Sequence, residues 1–232
     1  MARVLLNIDA GELPDETEDL WALADLLNVA CGGHAGDDAS MARVARAAAR
    51  TGARLGAHPS FEDRDGFGRV RLAVAPDLLE EQVERQCARL RRVAEAAGAR
   101  VTHAKLHGAL YHAADADADV ARACVAGIAR ALGRPALVGP DGGALAEEAA
   151  RRGLALLREA FADRGVRADG SLIPRGEPGA LVREPARAAA RARALAADAR
   201  VDTVCVHGDT DGALEIARAV RDALDAASRG DA

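Results

Sequence analysis

Lysine is almost missing from this 232-residue sequence: among 31 basic residues only Lys105 is a lysine, and all the others are arginine. Where a bare positive charge suffices the chain uses Arg. A compact ammonium with three swivelling donors therefore marks Lys105 as a candidate for a role a guanidinium cannot fill, a persisting salt bridge being the plainer alternative. The same scarcity excludes a phosphate-cradling GxxxxGK[ST] loop, since the one lysine lies in another context. Cysteine occurs four times, at Cys31, Cys87, Cys124 and Cys205, without a CxxC pair. That spacing argues against a disulfide framework or structural zinc site and for small core thiols. No apolar run approaches the roughly 20 residues of a membrane span, and Met1 leads straight into Val4-Leu5-Leu6 instead of a signal peptide. A cytoplasmic location away from membranes is expected. The 31 basic residues are outnumbered by 36 acidic ones, net charge -5, and the arginines form no stripe, which excludes nucleic acid as a partner.

Half the residues are hydrophobic, enough to bury one sizeable core, so residues 1–232 read as a single α/β domain. Short apolar runs alternate with long Ala/Arg/Leu segments of helical period, the pattern of repeated βα units on a parallel sheet. Strands are expected at Val4–Ile8, Val29–Cys31, Arg54–Ala57, Val101–Lys105, Ala136–Val138, Ala155–Glu159 and Thr203–His207. Helix starts are signalled by Asp19, Asp37 or Asp38, Pro76-Asp77 and Asp211. Seven such units predict a distorted (β/α)7 barrel, with a doubly wound open sheet as the alternative. Residues 115–119, Asp-Ala-Asp-Ala-Asp, read as a solvated helix-initiating loop, and Gly165–Gly179 as the longest stretch without a regular element.

In parallel βα folds ligands bind beyond the carboxyl ends of the strands. The scarce reactive residues collect there: Asn7, Asp9 and Glu12 after the first strand, His34 and Asp37 after the second, His58 after the third. Lys105, His107 and Tyr111 follow the fourth, Asp163 and Arg164 the sixth, His207 and Asp209 the seventh. Asp9 and Glu12 can separate their pKa values for acid/base work, although Glu12 could also begin a helix. Asp37 could act on substrate or cap a helix. Arg164, like Arg69 after Gly66-Phe67-Gly68, could clamp a carboxylate or phosphate, or merely pair with a neighbouring acid. The glycine-rich Gly139–Gly143 reads as a tight turn more than a phosphate cradle.

At these residues the chain resembles the LamB/YcsF family, to which A-type subunits of ATP-dependent 5-oxoprolinase belong. The matches run in order along nearly the whole chain: Asn7-x-Asp9-x-Gly11-Glu12, Asn28 to Asp37, Gly56–Phe61, Gly66–Arg69, Lys105–Tyr111, Phe161–Arg164, Ile173–Arg175 and Cys205–Asp209. Gly33, Leu106 and His112 depart from the family's usual Phe, Pro and Asn. The resemblance implies a TIM-like (β/α)7 barrel similar to the glycoside hydrolase/deacetylase fold. It also implies hydrolysis of 5-oxo-L-proline to L-glutamate coupled to ATP hydrolysis, with B and C subunits as partners. ATP, with Mg2+, would then bind in an unconventional way or on another subunit. In that reading Lys105 and Arg164 stabilise developing negative charge, and Asp9, Glu12 or His58 move protons. His34, His107, His207 and Asp209 position substrate or water. Two alternatives stand beside it: a metal-dependent hydrolase or deacetylase built on Asp9, His34 and His58, and a non-catalytic substrate-binding subunit.

Overall fold

The seven apolar runs do form strands, and they close on themselves. A computed structural model describes residues 3–167 and 171–230. Its strands are β1 (Leu5–Ala10), β2 (Leu26–Ala30), β3 (Arg54–His58), β4 (Val101–Lys105), β5 (Ala136–Gly139), β6 (Leu156–Phe161) and β7 (Thr203–Val206). Each pairs in parallel with its sequence neighbours, and β7 returns to β1 through Leu5–Thr203 and Ile8–Val206. Closure leaves no sheet edge, which rules out the open-sheet alternative.

Helices follow the strands: α1 (Glu18–Trp21), α2 (Asp38–Thr51), α3 (Pro76–Ala96), α4 (Gly108–Ala116), α5 (Ala118–Leu132), α6 (Gly143–Arg151), α7 (Pro185–Ala196) and α8 (Ala213–Arg229). Their starts obey local chemistry. Asp37 and Ser40 make a reciprocal capping box on α2, and Pro76 occupies the first turn of α3, where no backbone donor is needed. Residues 115–119 are less open than expected, because α4 continues through Ala116 before the Asp117 carboxylate caps α5. Within Gly165–Gly179, Val166 bridges Leu172 in antiparallel fashion, while residues 168–170 of that stretch lie outside the described residues. No described helix is long and apolar enough to cross a membrane.

Side chains pointing outward from the strands pack under the helices with Trp21, Met41, Leu79 and Leu90, all fully buried. The barrel interior is different. Asn7 donates to Thr203 Oγ1 at 3.0 Å, Asn28 donates to Asn7 Oδ1 at 2.9 Å, and His103 Nε2 donates to Asn28 Oδ1 at 3.0 Å. This polar ladder explains why β2 starts at Leu26 and not at the expected Val29: Asn28 breaks the apolar run in sequence yet belongs inside the strand. Gly56 opposite leaves room for the His103 ring, since a Cβ there would lie 2.1 Å from Nε2.

Burial pushes the His103 imidazole from 6.5 down to about 3, so it folds neutral. The unfolded chain takes up this proton below 6.5 and the folded chain does not, so stability is lost as pH falls from 6.5 toward 3. Thermal midpoints measured across that interval should fall, and less steeply in His103→Gln. Gly56→Ala should lower the midpoint by several degrees at neutral pH, since overpacking costs about 1–3 kcal/mol.

Candidate functional site

At the carboxyl ends of the strands the barrel opens into a cavity of about 580 Å³ whose lining includes Asp9, His58, Lys105, His107, Tyr111 and His207. Residues scattered over 199 positions of sequence thus meet in one place, as Asp9 and His207 illustrate by facing each other at 4.0 Å.

Lys105 stands at the floor, buried among acceptors. Its ammonium lies 2.8 Å from Glu159 Oε1, 3.0 Å from Asp9 Oδ1, 3.1 Å from Cys205 Sγ and 3.3 Å from Asn7 Oδ1. Burial opposes its charge, but Asp9 and the other anionic neighbours hold its pKa well above the usual lysine range. For Asp9, burial again opposes ionisation, and the charges of His58 and Lys105 win, keeping the carboxyl well below its usual range. The ammonium's three hydrogens are taken up by this shell, so the lysine sets the state of Asp9 more directly than it could meet a substrate. Asn28 also donates to Asp9 Oδ1 at 2.8 Å, leaving Oδ2 toward the imidazoles.

The histidines form two groups. Asp163 Oδ1 lies 3.0 Å from His207 Nδ1, and its Oδ2 accepts the His207 backbone N–H at 2.8 Å. With Nδ1–H donated to the carboxylate, His207 Nε2 turns toward Asp9 and the cavity. The second group is His34, His58 and His107 around Glu12 Oε1, at 2.9, 3.7 and 3.2 Å. His58 Nδ1 donates to Lys105 O at 2.8 Å and His107 Nε2 to Phe67 O at 2.9 Å. Burial holds His34 down at about 4, whereas Asp9 and Glu12 raise His58 above its usual value despite its burial. Glu12 is kept well below the usual range by its hydrogen bonds to His107 and His34, against the cost of burial. Glu12, His34, His58 and His107 each bring one ligand atom within 4.8 Å of the others, as do Asp9, Cys205 and His207.

Arginines guard the mouth: Arg69, Arg71, Arg164 and Arg175 line the cavity. Arg69 and Arg175 share one carboxylate, Asp209, the latter at 3.1 Å, which leaves positive charge in surplus there. Among the described residues Arg164 makes no ion pair with an acid. Its guanidinium donates to Ala180 O at 3.1 Å and Ile173 O at 2.7 Å, fastening the chain after β6 at the rim.

Of the two roles open to Asp37, the structure shows the helix cap and removes the residue from the substrate-binding set. Its carboxylate is spent on the Ser40 backbone N–H at the exposed start of α2, outside the cavity lining. Asn7, Glu12, His34, Asp163 and Asp209 stand behind the lining residues and hold them. Three participants escaped the sequence reading. Glu159 was lost among the many acidic residues, although its place at the end of β6 was a signal. Phe67, at φ 54, is the one non-glycine of positive φ among the described residues, and it aims its carbonyl at His107. Glu16 reads as surface charge in a polar loop, yet it is buried and accepts from Gly11 N, Glu12 N, Leu13 N and Trp21 Nε1 at 2.7–2.9 Å.

The profile of the LamB/YcsF family matches residues 5–230. The chain belongs to the LamB/YcsF family. Among LamB/YcsF relatives, the A-type 5-oxoprolinase subunit of Streptomyces griseus is 44% identical over 240 residues, covering 96% of both chains. The protein of the same name from Methylococcus capsulatus is 43% identical, covering 99% of this chain and 95% of its own. A crystal structure of a "Lactam Utilization Protein" from Thermus thermophilus superposes with TM-score 0.88 at 35% identity, covering 98% of each chain. A family 4 carbohydrate esterase from Streptomyces lividans, at 10% identity and TM-score 0.53 over 96% of this chain and 88% of its own, shares the fold alone.

Glu16→Gln replaces one of two accepting oxygens with a donor that faces backbone N–H groups, leaving them short of partners at a cost of about 1–3 kcal/mol. The variant should melt several degrees lower and, because Glu12 is carried on that loop, lose kcat more than it raises KM; steady-state kinetics with thermal melts check both.

Proposed function

We propose that this chain opens the lactam ring of 5-oxo-L-proline as the A-type component of an ATP-dependent 5-oxoprolinase, working in the cytoplasm with B- and C-type subunits. What carries this reading is one observation: Asp9, His58, Lys105, His107 and His207 converge on a single cavity under a rim of arginines. The names of relatives more than 40% identical over nearly the full length support it.

The chemistry fits the geometry. A lactam is an unactivated amide, so its carbonyl oxygen must gain a better-stabilised or phosphorylated form before water attacks. ATP with Mg2+ supplies that activation, and a partner protein is the place for it, since the only lysine is engaged at the barrel floor. The arginine rim receives the anionic carboxylate or phosphoryl group. Asp9 Oδ2, kept ionised by Lys105, and His207 Nε2, oriented by Asp163, take the proton of the attacking water. The imidazolium so formed on His207 returns that proton to the ring nitrogen as the C–N bond breaks, and the activating phosphoryl group leaves as phosphate, so the products are a free amine, a carboxylate and phosphate. Tyr111, its hydroxyl pushed up by burial beside Glu159, stays protonated as a donor.

The test is to mix the purified chain with its B- and C-type partners, ATP and 5-oxoproline, and to measure glutamate. His207→Gln should lose about 100-fold to 10,000-fold in turnover, the range for removing a general acid–base group. Lys105→Arg should be similarly impaired, because a planar fork cannot take the place of a compact ammonium. Full turnover by a folded His207→Gln chain would mean that this component only holds substrate for its partners.

A further inference from the structure

We infer that Glu12, His58 and His107 form a three-ligand site for a divalent transition ion of the zinc type, with its open position facing the cavity. The inference rests on reading this cavity as the catalytic one, and it adds a metal to that reading.

The positions of the imidazole hydrogens follow from their partners. A carbonyl oxygen can only accept, so the bond to Lys105 O puts a hydrogen on His58 Nδ1, and the bond to Phe67 O puts one on His107 Nε2. The inner nitrogens, His58 Nε2 and His107 Nδ1, are then both lone-pair atoms in the neutral rings. They face each other at 3.0 Å, and the third corner is Glu12 Oε1, 3.2 Å from His107 and 3.7 Å from His58. Two facing lone pairs and a carboxylate oxygen, even one that also accepts from His34, repel unless something positive sits among them. A proton can join only two of the three.

An ion satisfies all three. Zinc bonds of 2.0–2.1 Å in tetrahedral array separate ligand atoms by about 3.3 Å, close to the mean of the observed edges. Each imidazole also has its outer N–H fixed by a backbone carbonyl, which sets tautomer and ring direction as metal-bound histidines require. His58 and His107 meet edge to face at 86°, so their two ring planes can intersect at one ion. Two imidazoles with one carboxylate and a vacant fourth position is a catalytic zinc donor set. Asp9 Oδ2, 3.5 Å from His58 Nε2, borders that vacancy.

His34 is not a fourth ligand. Its ring is parallel to that of His107 within 2°, with centroids 3.6 Å apart. A lone pair lies in its ring plane, and two parallel planes share no point, so the two rings cannot address one ion. His34 Nε2 instead donates to Glu12 Oε1, leaving Nδ1 buried without a partner. The other cluster, Asp9, Cys205 and His207, already holds a cation, the Lys105 ammonium, at 3.0 and 3.1 Å from the first two.

The test is metal analysis of the full chain, dialysed free of metal and then titrated with Zn2+ and Co2+ by calorimetry, with the visible spectrum of the cobalt form. We expect about one ion per chain, ligand-field bands of low-coordinate cobalt, and a raised thermal midpoint on loading. His58→Gln and His107→Gln should each weaken binding more than about 100-fold, beyond the loss typical of an outer-shell change, while His34→Gln keeps one ion per chain. Absence of binding by a folded wild-type chain, or loss of the ion only in His34→Gln, would overturn the site. Glutamate formed by chelated, metal-free chain with its partners would also overturn it and leave the proposed function standing. One bound ion without glutamate from the complete mixture would uphold the site and overturn the function.

Discussion

One buried ammonium makes the barrel floor possible. Glu159 and Asp9 come from strands β6 and β1, and closure of the sheet brings their carboxylates to opposite sides of the same point. Without a cation between them two carboxylates would be buried facing the same point, at a cost of several kcal/mol per uncompensated ion. Lys105, at the end of β4, reaches across the axis and compensates both. The compensation is local, so Asp9 remains ionised deep inside the protein while its second oxygen stays available to the imidazoles.

From that point the order of the site extends upward in layers. The Asn7, Asn28, His103 and Thr203 ladder fixes the floor from below through hydrogen bonds between neighbouring strands. Above it, three of the lining histidines are each held by a second group: His207 by Asp163, His58 by the carbonyl of Lys105, His107 by the carbonyl of Phe67. The backbone of Phe67 adopts the left-handed region at a cost of roughly 1–2 kcal/mol for a side-chain-bearing residue, and its carbonyl is thereby delivered to an imidazole. Rigid placement of this kind is what acid/base chemistry at a fixed carbonyl demands.

Much of this was legible from the sequence because composition and topology cooperated. Seven apolar runs with intervening helical periods gave the barrel. The rule that ligands sit at strand carboxyl ends selected Asp9, His58, Lys105, His107 and His207 without any contact information. The sequence was silent where the decisive partner lies far off in the chain or on a turn. Asn28 looked like a break in a strand because its acceptors, Asn7 and Asp9, are on another one. Asp37 carried two readings, substrate contact and helix cap, and only the direction of the helix start shows its carboxylate spent on Ser40. Glu16 resembled solvated charge, since nothing in a Pro-Asp-Glu-Thr-Glu run says which acid turns inward.

That inward turn has an optical corollary. The chain's single indole, Trp21, is fully buried, lies under the Arg43 guanidinium at 4.8 Å, and donates its N–H to the Glu16 oxygen that also binds the Gly11 backbone. Emission excited at the red edge of the indole band, where Tyr111 does not absorb, therefore arises from one fluorophore wired to the segment that carries Glu12. Its wavelength and quenching report the ordering of that segment without any added label.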